Sequence, residues 1–140
     1  MTSTHTEKSK GYRVLVVDDS ATVRASLKAL LKNHNYEVIL AKDGLDALEV
    51  LKTNSGKIPD IILLDVEMPR MDGISFLEAI KHYNEYKHVP VIIFTSVQKN
   101  KFEKDISVFG PITCLDKECS EKVLCSTLET LLNTKGSSDA

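Results

Sequence analysis

Five short apolar runs recur along the chain, and four of them are followed directly by an Asp or a Thr. The runs occupy residues 14–17, 36–40, 61–64, 89–94 and 112–115. Residues 61–64 are large aliphatic side chains in a row, which suits a strand buried on both faces, as in a parallel sheet. The runs therefore predict strands, with residues 61–64 at the centre of the sheet.

Apolar residues at helical spacing fill the segments between these runs. Val23, Leu27, Leu30 and Leu31 share one helix face, and Ser20 is a suitable N-cap for that helix. Similar spacing predicts further helices within residues 45–51, 74–80, 102–109 and 123–132. Strand and helix alternate five times, which predicts an α/β fold with a parallel sheet, helices on both faces and right-handed crossovers.

Length, charge and cysteine content narrow the class of protein. A chain of 140 residues suits one domain, and the polar ends predict disordered tails at residues 1–10 and 134–140 around a domain of residues 11–133. The net charge of −2 gives no basic field for direct nucleic-acid binding. No apolar stretch reaches membrane-spanning length, and the N-terminus has no apolar signal segment. Three cysteines without Cys-x-x-Cys spacing predict reduced thiols in the cytoplasm.

Polar residues at the ends of the predicted strands are the candidates for a chemical role. The carboxyl ends of parallel strands meet at one edge of a sheet, so Asp18, Asp19, Asp65, Thr95 and Lys117 are expected there. Clustered carboxylates repel one another unless a cation is present, and an oxygen-only ligand set suits Mg²⁺. A carboxylate beside Mg²⁺ can attack a phosphoryl group, while the lysine and the threonine hydroxyl stabilise the added charge.

Each of these residues also has a purely structural interpretation. Asp18 and Asp19 are suited to capping a helix, Asp65 to a turn, Thr95 to a strand end, and Lys117 to a solvated surface. Their convergence on one sheet edge is what favours a phosphoryl site over these separate roles.

The residues now gathered resemble the receiver domain of two-component response regulators, a CheY-like superfamily. The stretch Asp-x-x-Met-Pro-x-Met-Asp-Gly, which begins at Asp65, carries the most specific resemblance. Val-Val-Asp-Asp-Ser at residues 16–20, Phe-Thr-Ser at 94–96 and Lys117 occur in the matching order. Residues 41–48 match the second loop and helix of the family, and the whole resemblance covers about residues 11–133.

The resemblance implies a doubly wound, flavodoxin-like (βα)5 fold with strand order 2-1-3-4-5. It implies a phosphoprotein that takes its phosphoryl group from a histidine kinase or a histidine phosphotransfer protein, in a Mg²⁺-dependent reaction. The implied site residues are Asp65 as phosphoacceptor, Asp18, Asp19, Asp65 and the Glu67 backbone carbonyl as metal ligands, and Thr95, Ser96 and Lys117 around the phosphoryl group.

The resemblance also implies how the domain acts. Phosphorylation changes a surface made by the fourth helix, the fifth strand and the last helix, and this surface selects a downstream protein target. The expected protein is a monomer or a phosphorylation-dependent dimer, with no nucleic-acid or membrane partner. It is not an enzyme beyond catalysing its own phosphotransfer and dephosphorylation.

Some positions depart from the family pattern. Glu118 follows the lysine where the family commonly has a proline, often through a cis peptide, and Cys114 occupies the position of an aromatic switch residue. Cys114 is therefore only a possible relay position. Glu67 and Val97 stand where the family tunes dephosphorylation.

Two other functions remain open at this point. Glu67 stands two residues after Asp65, the spacing at which a Mg²⁺-dependent aspartyl-phosphate phosphatase carries its general acid/base. The departures at Cys114 and Glu118 are compatible with a receiver-like binding module that is never phosphorylated.

Overall fold

The computed structural model describes residues 11–53, 57–65, 73–95 and 112–138, with side chains described as far as residue 133. Its strands are β1 (Arg13–Val17), β2 (Glu37–Ala41), β3 (Ile61–Leu64), β4 (Val91–Thr95) and β5 (Thr113–Asp116). Its helices in these ranges are α1 (Ala21–Asn33), α2 (Gly44–Thr53), α3 (Gly73–Ile80) and α4 (Glu121–Ser138). The helix predicted within residues 102–109 lies outside the described residues.

The strands form one parallel sheet in the order β2-β1-β3-β4-β5, which confirms the predicted fold and strand order. The register aligns Val17 with Ala41 on one side and with Leu64 on the other. Thr95 is aligned with Asp116. The residues that follow these positions therefore emerge along a single edge of the sheet.

Apolar layers cover both faces of the sheet. Alternate residues of a strand point to opposite faces, so Leu15 and Val17 pack with α2 and α3, while Val14 and Val16 pack with α1 and α4. All the side chains of β3 are buried, as the unbroken aliphatic run predicts. The buried central strand thus positions the residue that follows Leu64.

Two helix ends show how local sequence sets the element bounds. The Ser20 side chain accepts a hydrogen bond from the Val23 backbone N–H at 3.2 Å, which confirms the predicted N-cap of α1. Helix α4 continues to Ser138, into the segment predicted to be a disordered tail. No proline interrupts residues 121–138, and a helix that has already formed gains a backbone hydrogen bond for each added residue.

None of the helices in the described residues has the length and apolar character needed to span a membrane.

Tyr36, between α1 and β2, makes the fold sensitive to alkaline pH. Only 4% of the residue is exposed, and burial, aided by nearby Glu129, Cys125 and Tyr12, raises the pKa of Tyr36 from 10.0 to about 12. The unfolded chain loses this proton at lower pH than the folded chain does. The contribution to stability is therefore complete below pH 10.0 and declines as pH rises toward about 12.

We expect the free energy of unfolding to fall by about 1 kcal/mol more in the wild type than in Tyr36→Phe between about pH 9 and about pH 11. Urea unfolding at the two pH values measures this difference. Equal losses of unfolding free energy in the two proteins would contradict the raised pKa of Tyr36, because the two proteins share every other titrating group.

Candidate functional site

Three aspartates meet at the carboxyl edge of the sheet. Asp18 follows β1 and Asp65 follows β3, and both are buried, whereas Asp19 is exposed. Carboxylate oxygens of Asp18, Asp19 and Asp65 lie within 4.8 Å of one another. Backbone hydrogen bonds continue past the strand ends, from Asp65 N–H to Val17 O at 3.0 Å and from Asp18 N–H to Ala41 O at 3.1 Å. The convergence predicted from the sequence is confirmed for these carboxylates.

Lys117 reaches the same cluster from the end of β5. Its Nζ lies 2.6 Å from Asp18 Oδ2 and 3.0 Å from Asp65 Oδ2. Burial lowers the pKa of Lys117, but hydrogen bonds and charge from Asp18 and Asp65 outweigh it, so the pKa is raised above its ordinary value of 10.5. The stabilisation that comes from protonated Lys117 is therefore retained up to pH 10.5 and declines as pH rises through the higher pKa of the folded state.

Thr95 ends β4, the strand that lies between β3 and β5. It is buried, and its carbonyl oxygen accepts a hydrogen bond from the Lys117 backbone N–H at 3.2 Å. Thr95 is thus held between β3, which Asp65 follows, and β5, which Lys117 follows. Ser96, Glu67 and Val97 lie outside the described residues.

Cys114 and Glu118 mark the departures from the family pattern. Cys114 is partly buried in β5 and packs against the core layer of α2 and α3, on the face that the neighbouring Ile93 also uses. Cys114, Cys119 and Cys125, all within the described residues, form no disulfide. The peptide bond between Lys117 and Glu118 is trans, as are all others in the ranges that the structure describes.

Arg24 contributes to the site although no sequence pattern singled it out. Its guanidinium donates a hydrogen bond to the backbone carbonyl of Asp18 at 2.7 Å, across a separation of six residues. The Ser20 backbone N–H donates to Asp18 Oδ1 at 2.9 Å. The carbonyl, the carboxylate and the N–H of Asp18 are therefore all engaged, which fixes the loop that carries Asp18 and Asp19.

The donor set fits a hard divalent cation. Within the part of the chain that the structure describes, the cluster offers carboxylate oxygens, and the Lys117 ammonium pairs with two of the three carboxylates. Exposed Asp19 leaves one side of the cluster open to solvent, and Mg²⁺ usually keeps several water ligands. The site therefore has the charge, the ligand type and the access that Mg²⁺ requires.

The comparison with protein families now adds to this geometry. Residues 14–129 match the family model of the response regulator receiver domain. The chain belongs to the response regulator receiver family. The receiver domain is the phosphoacceptor module of two-component signalling, and Mg²⁺ binding at an acidic pocket is general in the family.

Individual relatives agree with the family assignment. The chain is 34% identical over 122 residues to chemotaxis protein CheY of Treponema pallidum, across 86% of this chain and 83% of that one. It is 44% identical over 100 residues to sensor histidine kinase CheAY of Helicobacter pylori, across 69% of this chain but 12% of that protein. It is 40% identical over 90 residues to protein PilG of Pseudomonas aeruginosa, across 64% of each.

Solved structures give the same result. The high-resolution structure of Vibrio cholerae chemotaxis protein CheY4 superposes with a TM-score of 0.78 at 30% identity, covering 86% of this chain and 98% of that one. This confirms the receiver prediction, and neither the phosphatase nor the receiver-like module that is never phosphorylated is favoured. The chain spans only part of the length of some relatives, including CheAY, so the activities of those whole proteins do not transfer to it.

Proposed function

We propose that Asp65 of this receiver domain accepts a phosphoryl group and that the domain then switches a protein-binding surface. The observation that supports this most strongly is the contact of Lys117 Nζ with Asp65 Oδ2 at 3.0 Å, inside a cluster of three carboxylates. A buried carboxylate held beside an ammonium and a cation site suits nucleophilic attack on phosphorus.

In the proposed reaction, an Asp65 carboxylate oxygen forms a bond to phosphorus. The bond between phosphorus and the leaving atom of the donor breaks, and the donor takes the electron pair. The donor is a phosphohistidine of a histidine kinase or of a histidine phosphotransfer protein. Hydrolysis of the resulting acyl phosphate by water returns Asp65 to its carboxylate form, so the domain catalyses only its own phosphorylation cycle.

Each neighbouring side chain has a distinct part in this proposal. The Lys117 ammonium exchanges one carboxylate partner for the new phosphoryl oxygens, and the Thr95 hydroxyl and Ser96 bind the same group. Asp18, Asp19 and Asp65, with the Glu67 backbone carbonyl, would hold Mg²⁺. When bound, Mg²⁺ neutralises the charge that builds up between the carboxylate and the phosphoryl oxygens.

The consequences for partners belong to the same proposal. The added charge changes which groups Lys117 and Thr95 contact, and both are joined to the backbone of β4 and β5. We expect this to alter a surface read by a downstream protein target, with the domain monomeric or dimerising on phosphorylation. We also predict that Cys114 takes part in the relay to this surface. The domain is expected to act through protein contacts, without binding nucleic acid or a membrane, and to be located in the cytoplasm.

The dependence on Mg²⁺ tests the proposal. Protein incubated with acetyl phosphate and Mg²⁺ should gain the mass of one phosphoryl group in an intact-mass spectrum. The gain should disappear with a chelator, because the carboxylate cluster then repels the incoming phosphate. Absence of any adduct, together with no binding of beryllofluoride, would leave the alternative of a receiver-like module that is never phosphorylated.

A further inference from the structure

A hydrogen-bonded turn presents Lys117 to the carboxylates. The Asp116 carbonyl accepts a hydrogen bond from the Cys119 backbone N–H at 2.9 Å, which closes a four-residue turn. Inside the turn, Asp116 Oδ1 accepts a second hydrogen bond from the Glu118 backbone N–H at 2.7 Å. An aspartate that binds the backbone two residues further on forms an Asx turn.

The turn fixes the backbone on both sides of Lys117. On one side, the Lys117 N–H donates to Thr95 O at 3.2 Å. On the other side, the peptide between Lys117 and Glu118 is held through its N–H by the Asp116 carboxylate. With both flanking peptides anchored, the direction in which the Lys117 side chain leaves the backbone is set before any ligand arrives.

Asp116 itself is exposed and takes no part in the carboxylate cluster. Its carboxylate, at 2.7 Å from the Glu118 N–H, makes a charge-assisted hydrogen bond, which is stronger than a neutral one. The bond requires an N–H at residue 118, which Glu118 supplies and which a proline could not.

We infer that Asp116 is a positioning residue: its bond to the Glu118 N–H orients Lys117 for the phosphoryl group. This inference rests on the proposed function of Asp65 and Lys117, and it assigns a role to a residue outside the acidic cluster. The Asp116 carboxylate binds the backbone N–H of residue 118, and the Glu118 side chain takes no part in this bond.

Two substitutions at residue 116 separate hydrogen bonding from charge. Asp116→Ala removes the acceptor, and we expect phosphorylation by acetyl phosphate to slow by about threefold to tenfold, the effect of losing one orienting hydrogen bond. Asp116→Asn keeps an acceptor oxygen and should recover most of the rate. Glu118→Ala removes a neighbouring carboxylate but keeps the backbone N–H, so it serves as the matched charge control and should behave as wild type.

A metal-binding measurement distinguishes positioning from general damage. Lys117 pairs with the carboxylates but is not itself a metal ligand, so Asp116→Ala should weaken beryllofluoride binding without weakening Mg²⁺ binding. A parallel loss of Mg²⁺ affinity would show general damage to the carboxylate cluster and overturn the inference.

A double-mutant cycle tests the bond itself. In a Glu118→Pro background, residue 118 has no N–H, so Asp116→Ala should cause no further loss of rate. An equal loss in both backgrounds would show that Asp116 acts by another route. If wild type is not phosphorylated at all, the proposed function fails. If wild type is phosphorylated and Asp116→Ala matches it, only the inference about the turn fails.

Discussion

Asp65→Asn should abolish phosphoryl uptake completely. The substitution keeps the size of a buried side chain at the end of β3 but replaces the nucleophilic carboxylate with an amide. An amide oxygen carries no full negative charge and is a poor nucleophile toward phosphorus. We expect no mass gain from acetyl phosphate and Mg²⁺ under conditions that fully label the wild type.

Asp60→Asn is the matched control, because the same strand carries an aspartate at its other end. Asp60 directly precedes β3, and its Oδ2 accepts a hydrogen bond from the Arg13 backbone N–H at 2.8 Å, at the edge of the sheet remote from the site. An asparagine oxygen can accept the same bond, so labelling should equal that of wild type. Phosphorylation that persists in Asp65→Asn would remove Asp65 from its assigned role.

Lys117→Met should destabilise the metal-free protein by about 3 kcal/mol, the cost of leaving a buried charge without its partner. Methionine keeps most of the apolar stem but leaves the Asp18 and Asp65 carboxylates, which are 2% and 6% exposed, without their ammonium. Saturating Mg²⁺ should reduce the deficit, because a divalent cation supplies the missing positive charge and binds only the folded site. Urea unfolding with a chelator and with Mg²⁺ measures both effects.

Lys122→Met provides the control for loss of a lysine charge. Lys122 is exposed in the first turn of α4, and a surface substitution of this kind usually changes stability by less than about 0.5 kcal/mol. A Lys117→Met protein as stable as wild type in the presence of the chelator would show that Lys117 does not compensate the buried carboxylates. A Mg²⁺ stabilisation equal in the two proteins would show that the metal and Lys117 do not share these partners.

The sheet was predictable because its signals are local and redundant. The aliphatic run that became β3 is buried on both faces, and each of the other runs also became a strand of the parallel sheet. Element ends were harder to predict. Helix α4 passes through Gly136 to Ser138, since a glycine in a helix costs only about 1 kcal/mol relative to alanine and does not by itself end the helix.

The core of the site was predictable for a topological reason. Parallel strands deliver their carboxyl ends to one edge, so Asp18, Asp65 and Lys117 were expected along the same edge once the strands were identified, and the strand order implied by the resemblance brought them close together. Their contacts confirm that reasoning. The choice of Asp65 as the phosphoacceptor came from the resemblance, and the chemical role of each residue stays a proposal.

The supporting contacts were not predictable, because they depend on side-chain directions that spacing does not encode. Arg24 lies on α1 among other polar residues, and only the structure shows its guanidinium on the Asp18 carbonyl. In the sequence, Asp116 was interpreted only as the end of a strand. Glu118 was interpreted only as a replacement for the proline that is common in the family. Together they form a turn that needs the N–H which a proline would remove.

Chemical trapping of the phosphorylated residue tests the central claim most directly. Borohydride reduces an aspartyl phosphate to homoserine, and tandem mass spectrometry of the digested protein then locates the reduced residue. After treatment with acetyl phosphate and Mg²⁺, we expect homoserine at residue 65 and nowhere else. Homoserine at residue 18 or 19, or an adduct that borohydride does not reduce, would contradict the assignment of Asp65 as the phosphoacceptor.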